Sequence, residues 1–126
     1  MSDNKHLLAI IEHGGYPNLL PLYQELGLTT HTAPSMRKGL SLCKKHKPDI
    51  VVAEFIYAPT YGSYICNLES LFAFLQRSKP DTQLIVFIEK EHLHHLEKVA
   101  DRFPIAAVIT HPIQPHEVEA KLRQHL

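Results

Sequence analysis

The sequence predicts an α/β domain, a parallel sheet with helices on both faces. Three observations carry this. Five short apolar runs recur along the chain, at residues 7–11, 28–32, 50–55, 83–88 and 105–110. Between and after them lie segments with apolar residues at helical spacing. Two matching turn signals, Lys47-Pro48-Asp49 and Lys79-Pro80-Asp81, lead into the third and fourth runs. Strands alternating with helices make parallel sheets, and near-continuous apolar strands are the kind covered on both faces.

The first strand, residues 7–11, ends at Glu12-His13-Gly14-Gly15, a loop with two glycines. A helix over 17–26 follows, with Leu19, Leu20, Tyr23 and Leu26 at helical spacing; Pro17 and Pro21 belong in its first turn, and Gly27 stops it. The β-branched run 28–32 reads as an edge strand. Ser35 caps a second helix that turns Met36, Leu40 and Cys43 or Leu42 inward and ends near His46. The third strand, 50–55, leads into a loop over 56–62. Ile65, Leu68, Leu71, Phe72 and Leu75 then predict a long helix ending near Ser78. After the fourth strand, a helix over 91–102 presents Leu93, Leu96, Val99 and Ala100 on one face. Pro115 opens the last helix, with Val118, Leu122 and Leu126 inward. No linker or internal repeat divides residues 1–126, so a single domain is expected.

Composition narrows the function classes. A chain of 126 residues can bury a core without staples. Thirteen basic residues balance thirteen acidic ones, which gives no net attraction toward nucleic acid or anionic lipid. Cys43 and Cys66 fall in segments read as helices, with no CxxC spacing, so a disulfide scaffold or thiolate metal site is not indicated. No apolar stretch is long enough to span a membrane, and a cytoplasmic location is expected. Gly14-Gly15 lacks a phosphate-loop pattern and reads as a turn.

Open sheets of this type place their functional crevice at the carboxyl ends of the strands. There the chain resembles the receiver domain of two-component response regulators. Lys47-Pro48-Asp49-Ile50-Val51-Val52-Ala53-Glu54 is similar to that family's approach to its phosphoacceptor. Thr110-His111-Pro112-Ile113-Gln114-Pro115-His116-Glu117-Val118 is similar to its Thr-Lys-Pro-Phe-x-Pro-x-Glu-Leu segment. The resemblance covers nearly the whole chain. It implies a flavodoxin-like (βα)5 sandwich with strand order 2-1-3-4-5. At this length no attached output domain is expected.

The resemblance also implies where the chemistry has changed. Glu12 and His13 stand where the family has a Mg²⁺-binding acidic pair, and Glu54 where it has the aspartyl nucleophile. Ile88 replaces a hydroxyl residue, His111 the phosphate-pairing lysine, and Val108 an aromatic switch residue. The segment from Gly62 to Pro80 is several residues longer than usual. Imidazole suits Mg²⁺ poorly, and Ile88 cannot donate to a phosphoryl oxygen. Glu54 is one methylene longer than aspartate, and His111 carries only a conditional charge. The resulting expectation is a degenerate receiver that acts by protein–protein contact, with no catalytic turnover and no cofactor.

Other readings use the same residues. Glu12, His13, Glu54 and His111 together would suit Zn²⁺, Mn²⁺ or Fe²⁺, making the crevice a metal or small-ligand pocket. An atypical phosphoreceiver, on histidine, is another. A third pairs His111 with Glu54, itself a poor fixed imitation of a phosphorylated aspartate, as a pH sensor. By resemblance, the contact face for a separate signalling protein, or for a homodimer, includes His92, His95, Glu97, Ala107 and His116. His92 and His95 are helical neighbours, with His94 pointing elsewhere. His6, His31, His46, His116 and His125 are scattered in sequence and read mostly as surface residues.

Overall fold

A computed structural model describes residues 5–60, 63–98, 100 and 103–126, with the backbone alone for 57–60 and 63–66. The chain runs β1 (His6–Ile10), α1 (Leu20–Glu25), β2 (Thr29–Ala33), α2 (Met36–His46), β3 (Ile50–Glu54), β4 (Tyr57–Thr60), β5 (Ser63–Cys66), α3 (Glu69–Ser78) and β6 (Gln83–Ile88). A 3-10 turn at Lys90–His92, α4 (Leu93–Glu97), β7 (Ala107–Thr110) and α5 (Pro115–Gln124) complete it. Five strands form one sheet in the order β2-β1-β3-β6-β7, every pairing parallel. Counting only these five in chain order, this is 2-1-3-4-5, the flavodoxin-like arrangement expected. No helix among the described residues is long and apolar enough to cross a membrane.

Strand alternation divides the core in two. Leu8, Ile10, Val51, Ala53, Val86 and Ile88 face α2 and α3, whereas Leu7, Ala9, Val52, Ile85, Phe87 and Ile109 face α1 and α5. α2 is capped as expected, with Ser35 Oγ accepting the Lys38 N–H at 3.2 Å. Its buried residues are Gly39 and Cys43, and burial pushes the Cys43 thiol up to about 11.

Several expected elements differ. The segment read as a loop and helix entry is an antiparallel hairpin, with Tyr57 opposite Cys66 and Thr60 opposite Ser63. Cys66 therefore lies on a strand, and α3 starts only at Glu69. Period 3.6 and period 2 cannot be separated over so few residues, so Ile65 passed for a helical position. α1 is confined to six residues, because Pro17 lies outside it and Asn18 Oδ1 takes the Leu20 N–H at 3.1 Å. α4 ends at Glu97; Val99 and Arg102, read as part of it, lie outside the described residues. Leu126, expected inward, lies beyond α5 and is exposed.

At the amino ends of the strands, the Lys47-Pro48-Asp49 turn is a junction. Asp49 Oδ2 accepts the His6 N–H at 2.9 Å, and Oδ1 pairs with Lys79 Nζ at 2.8 Å. Thr82 Oγ1 donates to the Pro48 carbonyl at 3.1 Å. Burial alone would raise the Asp49 pKa. The hydrogen bonds from Lys79 and His6, with the charges of Lys79 and Lys5, outweigh it and hold the carboxyl below its usual range.

One substitution tests the packing of α2. A Cβ on Gly39 would stand 2.5 Å from Ile10 Cδ1 and 2.7 Å from Ile10 Cγ1, and Ile10 is buried. Helix propensity favours alanine there by about 1 kcal/mol, but overpacking costs about 1–3 kcal/mol. Gly39→Ala is expected to lower stability by about 1 kcal/mol net in denaturant unfolding. A higher midpoint would mean that Ile10 yields freely.

Candidate functional site

Glu54 ends β3 with its side chain only 6% exposed. A buried, unpaired carboxylate costs several kcal/mol, so it needs partners. Those partners are backbone. Oε1 accepts the N–H groups of Glu12 at 2.8 Å and His13 at 2.9 Å, and Oε2 accepts that of Gly14 at 2.8 Å. The Tyr16 hydroxyl donates to Oε2 at 3.2 Å. Three consecutive amides converge because the chain turns into the left-handed region directly after them, with φ of +69° at Gly14 and +87° at Gly15. Successive N–H groups curled around one point form an anion-binding nest. The glycines read as a plain turn thus build an anion site, and its anion is the protein's own Glu54.

Tyr16 closes the site from one side. Its ring packs edge-on against Phe87, with centroids 5.3 Å apart, and tilts against His111 at 5.8 Å. Burial, then the Glu54 charge and the hydrogen bond to it, push the phenol well above its ordinary pKa. Asn67 closes the other side. Its Oδ1 accepts the Ile56 N–H at 2.7 Å, and its Nδ2 donates to the Glu54 carbonyl at 2.7 Å. The side chain thereby bridges the base of the β4–β5 hairpin and fixes the backbone leaving β3. Neither Tyr16 nor Asn67 was singled out from the sequence. Tyr16, directly after the glycine turn, was the more findable of the two.

The remaining crevice residues do not join Glu54. Glu12 turns its carboxylate away, and Oε1 accepts the Met36 N–H at 3.1 Å in the first turn of α2. An acidic group there also suits the positive end of the helix. His111 Nε2 lies 3.9 Å from Glu89 Oε1, so its charged neighbour is Glu89 rather than the expected Glu54. Ile88 is fully buried and offers no polar atom. A pocket of about 230 Å³ remains between His13, Glu54, Phe87, Glu89 and His111. Among the described residues, Glu12, His13, Glu54 and His111 do not form a set with ligand atoms within mutual reach of one metal. Backbone amides and the start of α2 engage the two carboxylates of the expected crevice metal site. A larger cavity of about 530 Å³, mainly apolar, lies beside α1, lined by Ile11, Leu19, Leu20, Tyr23 and Pro34.

The expected contact face is also redrawn. On β7 the alternation puts Ala107 in the core at 8% exposure and Val108 outward at 37%. Ala107 therefore cannot be a surface contact, and Val108 is the apolar residue that the edge presents. Glu97 and His116 are exposed, and His92 and His95 are half-buried. His94 does not point elsewhere: its ring centroid is 3.9 Å from that of His95, closer than His92 at 6.0 Å.

No family model and no curated protein matches the sequence. Solved structures match the fold over nearly all of it. The chemotaxis response regulator CheY4 of Vibrio cholerae superposes with a TM-score of 0.77 at 15% identity, covering 98% of this chain and 100% of that one. The signal receiver domain of an HD domain-containing protein from Pseudomonas fluorescens Pf-5 gives 0.74 at 21%, covering 98% and 94%. The BeF3-activated DrrB receiver domain gives 0.74 at 14%, covering 98% and 97%. The fold is therefore that of receiver domains.

Two measurements test the nest. Glu54→Gln puts an amide NH₂ against donors and leaves part of the nest unsatisfied, a loss of about 1–3 kcal/mol in unfolding free energy. Unchanged stability would remove the nest as a structural element. The second is alkaline pH. Tyr16 and Tyr23 have raised pKa values in the folded chain, Tyr23 through burial. Their contribution is complete below the unfolded phenol value of about 10 and is lost as pH rises above it. Melting temperature should fall beyond about pH 10, and less steeply in Tyr16→Phe. An identical alkaline fall in that variant would contradict the buried phenol.

Proposed function

We propose that this chain is a receiver-fold signalling domain that works without aspartyl phosphorylation, through contact with a separate signalling protein. The observation that carries this reading is the occupied carboxylate of Glu54. To attack phosphorus, a carboxylate must present a free lone pair in line with the incoming group. Both Glu54 oxygens hold short hydrogen bonds from the protein itself.

The rest of the crevice supports the same reading. In phosphorylated receivers Mg²⁺ bridges the acidic pair and the phosphoryl group. Here Glu12 is engaged at the start of α2, and the positive partner of Glu54 is a set of backbone dipoles. Nothing stands at Ile88 to donate to a transferred phosphoryl oxygen. The loop after β1 is ordered around this carboxylate by its own amides. Recognition then falls to the fixed surface of α4, β7 and α5, with Glu97, Val108 and His116 exposed beside His92 and His95. The rival reading, a crevice metal or small-ligand pocket, is less well supported because its carboxylates already have protein donors.

Incubation with acetyl phosphate and Mg²⁺, followed by intact mass measurement at neutral pH, tests the proposal. The expected spectrum shows the unmodified chain alone. A phosphoryl adduct, base-labile on Glu54 or acid-labile on His111, would overturn it.

A further inference from the structure

Three histidines that are far apart in sequence meet at the end of the sheet opposite the Glu54 crevice. His6 opens β1, His31 is the middle residue of edge strand β2, and His46 is the last residue of α2. The register explains the meeting. Leu8 pairs with His31, so the two share a face, and alternation puts His6 on that face too. It is the face α2 covers, and α2 is long enough to bring its last residue over the edge. His6 Nδ1 lies 3.0 Å from His31 Nε2, and the His31 and His46 rings stack with centroids 3.8 Å apart. One ring nitrogen from each lies within 4.8 Å of the other two, and all three residues are half-buried.

We propose that His6, His31 and His46 bind one divalent transition metal of the Zn²⁺ type, with a fourth position open to water. Three neutral imidazoles are a donor set for zinc and its neighbours and a poor one for Mg²⁺ or Ca²⁺, which demand oxygen. With Zn–N bonds of about 2.0–2.1 Å, tetrahedral ligand nitrogens stand about 3.3 Å apart. The His6–His31 pair is already close to that spacing. Loading requires the His46 ring to turn out of its stack on His31, which its place at the helix end permits. His31 is held toward its neutral, ligating form by burial first, then by His46, His6 and Lys45. The metal would tie the end of α2 to β1 and to the edge strand, two strands already joined by their parallel ladder. The site shares no residue with the crevice, so it stands or falls separately from the function proposed above.

The test uses the untagged chain, freed of metal by chelation and titrated with Zn²⁺ by calorimetry and by thermal melting. Wild type and His94→Ala are expected to bind one Zn²⁺ per chain and to melt at higher temperature with it. His31→Ala and His46→Ala should bind at least tenfold more weakly and lose the melting shift, while keeping the metal-free circular dichroism spectrum. Absence of zinc binding by wild type would overturn the proposal. So would undiminished binding by His31→Ala, or loss in His94→Ala instead. Should either triad variant misfold, Co²⁺ on wild type decides: a tetrahedral visible spectrum displaced by Zn²⁺ supports the site, and its absence overturns it.

Discussion

The crevice end of the molecule depends on one buried carboxylate. Glu54 is almost wholly removed from water, and three successive backbone amides with one phenol replace the water it lost. That exchange dictates the local chain path. The amides of residues 12–14 can reach one carboxylate only if the loop curls, and two glycines with positive φ let it curl. The loop in turn sets Tyr16 over Phe87 and brings Glu12 to the start of α2. The first helix, the second helix and the head of the central strand are thus coordinated through a single side chain.

The same device appears at the other end of the central strand. Asp49, just before β3, accepts the backbone N–H of His6, as Glu54 accepts those of the loop after β1. β1 and β3 are held at both ends by carboxylate-to-amide hydrogen bonds, in addition to their parallel ladder. Charge-assisted bonds of this kind are stronger than neutral ones and strongly directional. The functional reading follows from the asymmetry between the ends. Asp49 is partly solvated and paired with Lys79, an ordinary structural role, whereas Glu54 is buried and held by the loop after β1.

The layers and strand order were legible because they rest on periodicity and apolar runs, which one sequence displays directly. The positions of Glu54, His111 and Ile88 at the strand ends were legible for the same reason. What stayed hidden was side-chain direction. Glu12 and Glu54 share an end of the sheet, yet one points to a helix and the other into a nest. Ala107 and Val108 are neighbours, and one residue of register decides which is buried. β4 and β5 escaped because the stretch around Pro59 reads as a loop and Ile65 fits helical spacing as well as strand alternation. The histidines of β1, β2 and α2 looked scattered because only a parallel register of distant segments brings them together.

The central claim is that the loop amides are donors to Glu54 in the folded chain. Hydrogen exchange measured by NMR at Glu12, His13 and Gly14 tests it most directly, in wild type and in Glu54→Gln. Slow exchange at all three amides in wild type, accelerated selectively in the variant while the sheet stays protected, is the predicted result. Fast exchange at these amides in wild type, like that of an open surface loop, would contradict the account.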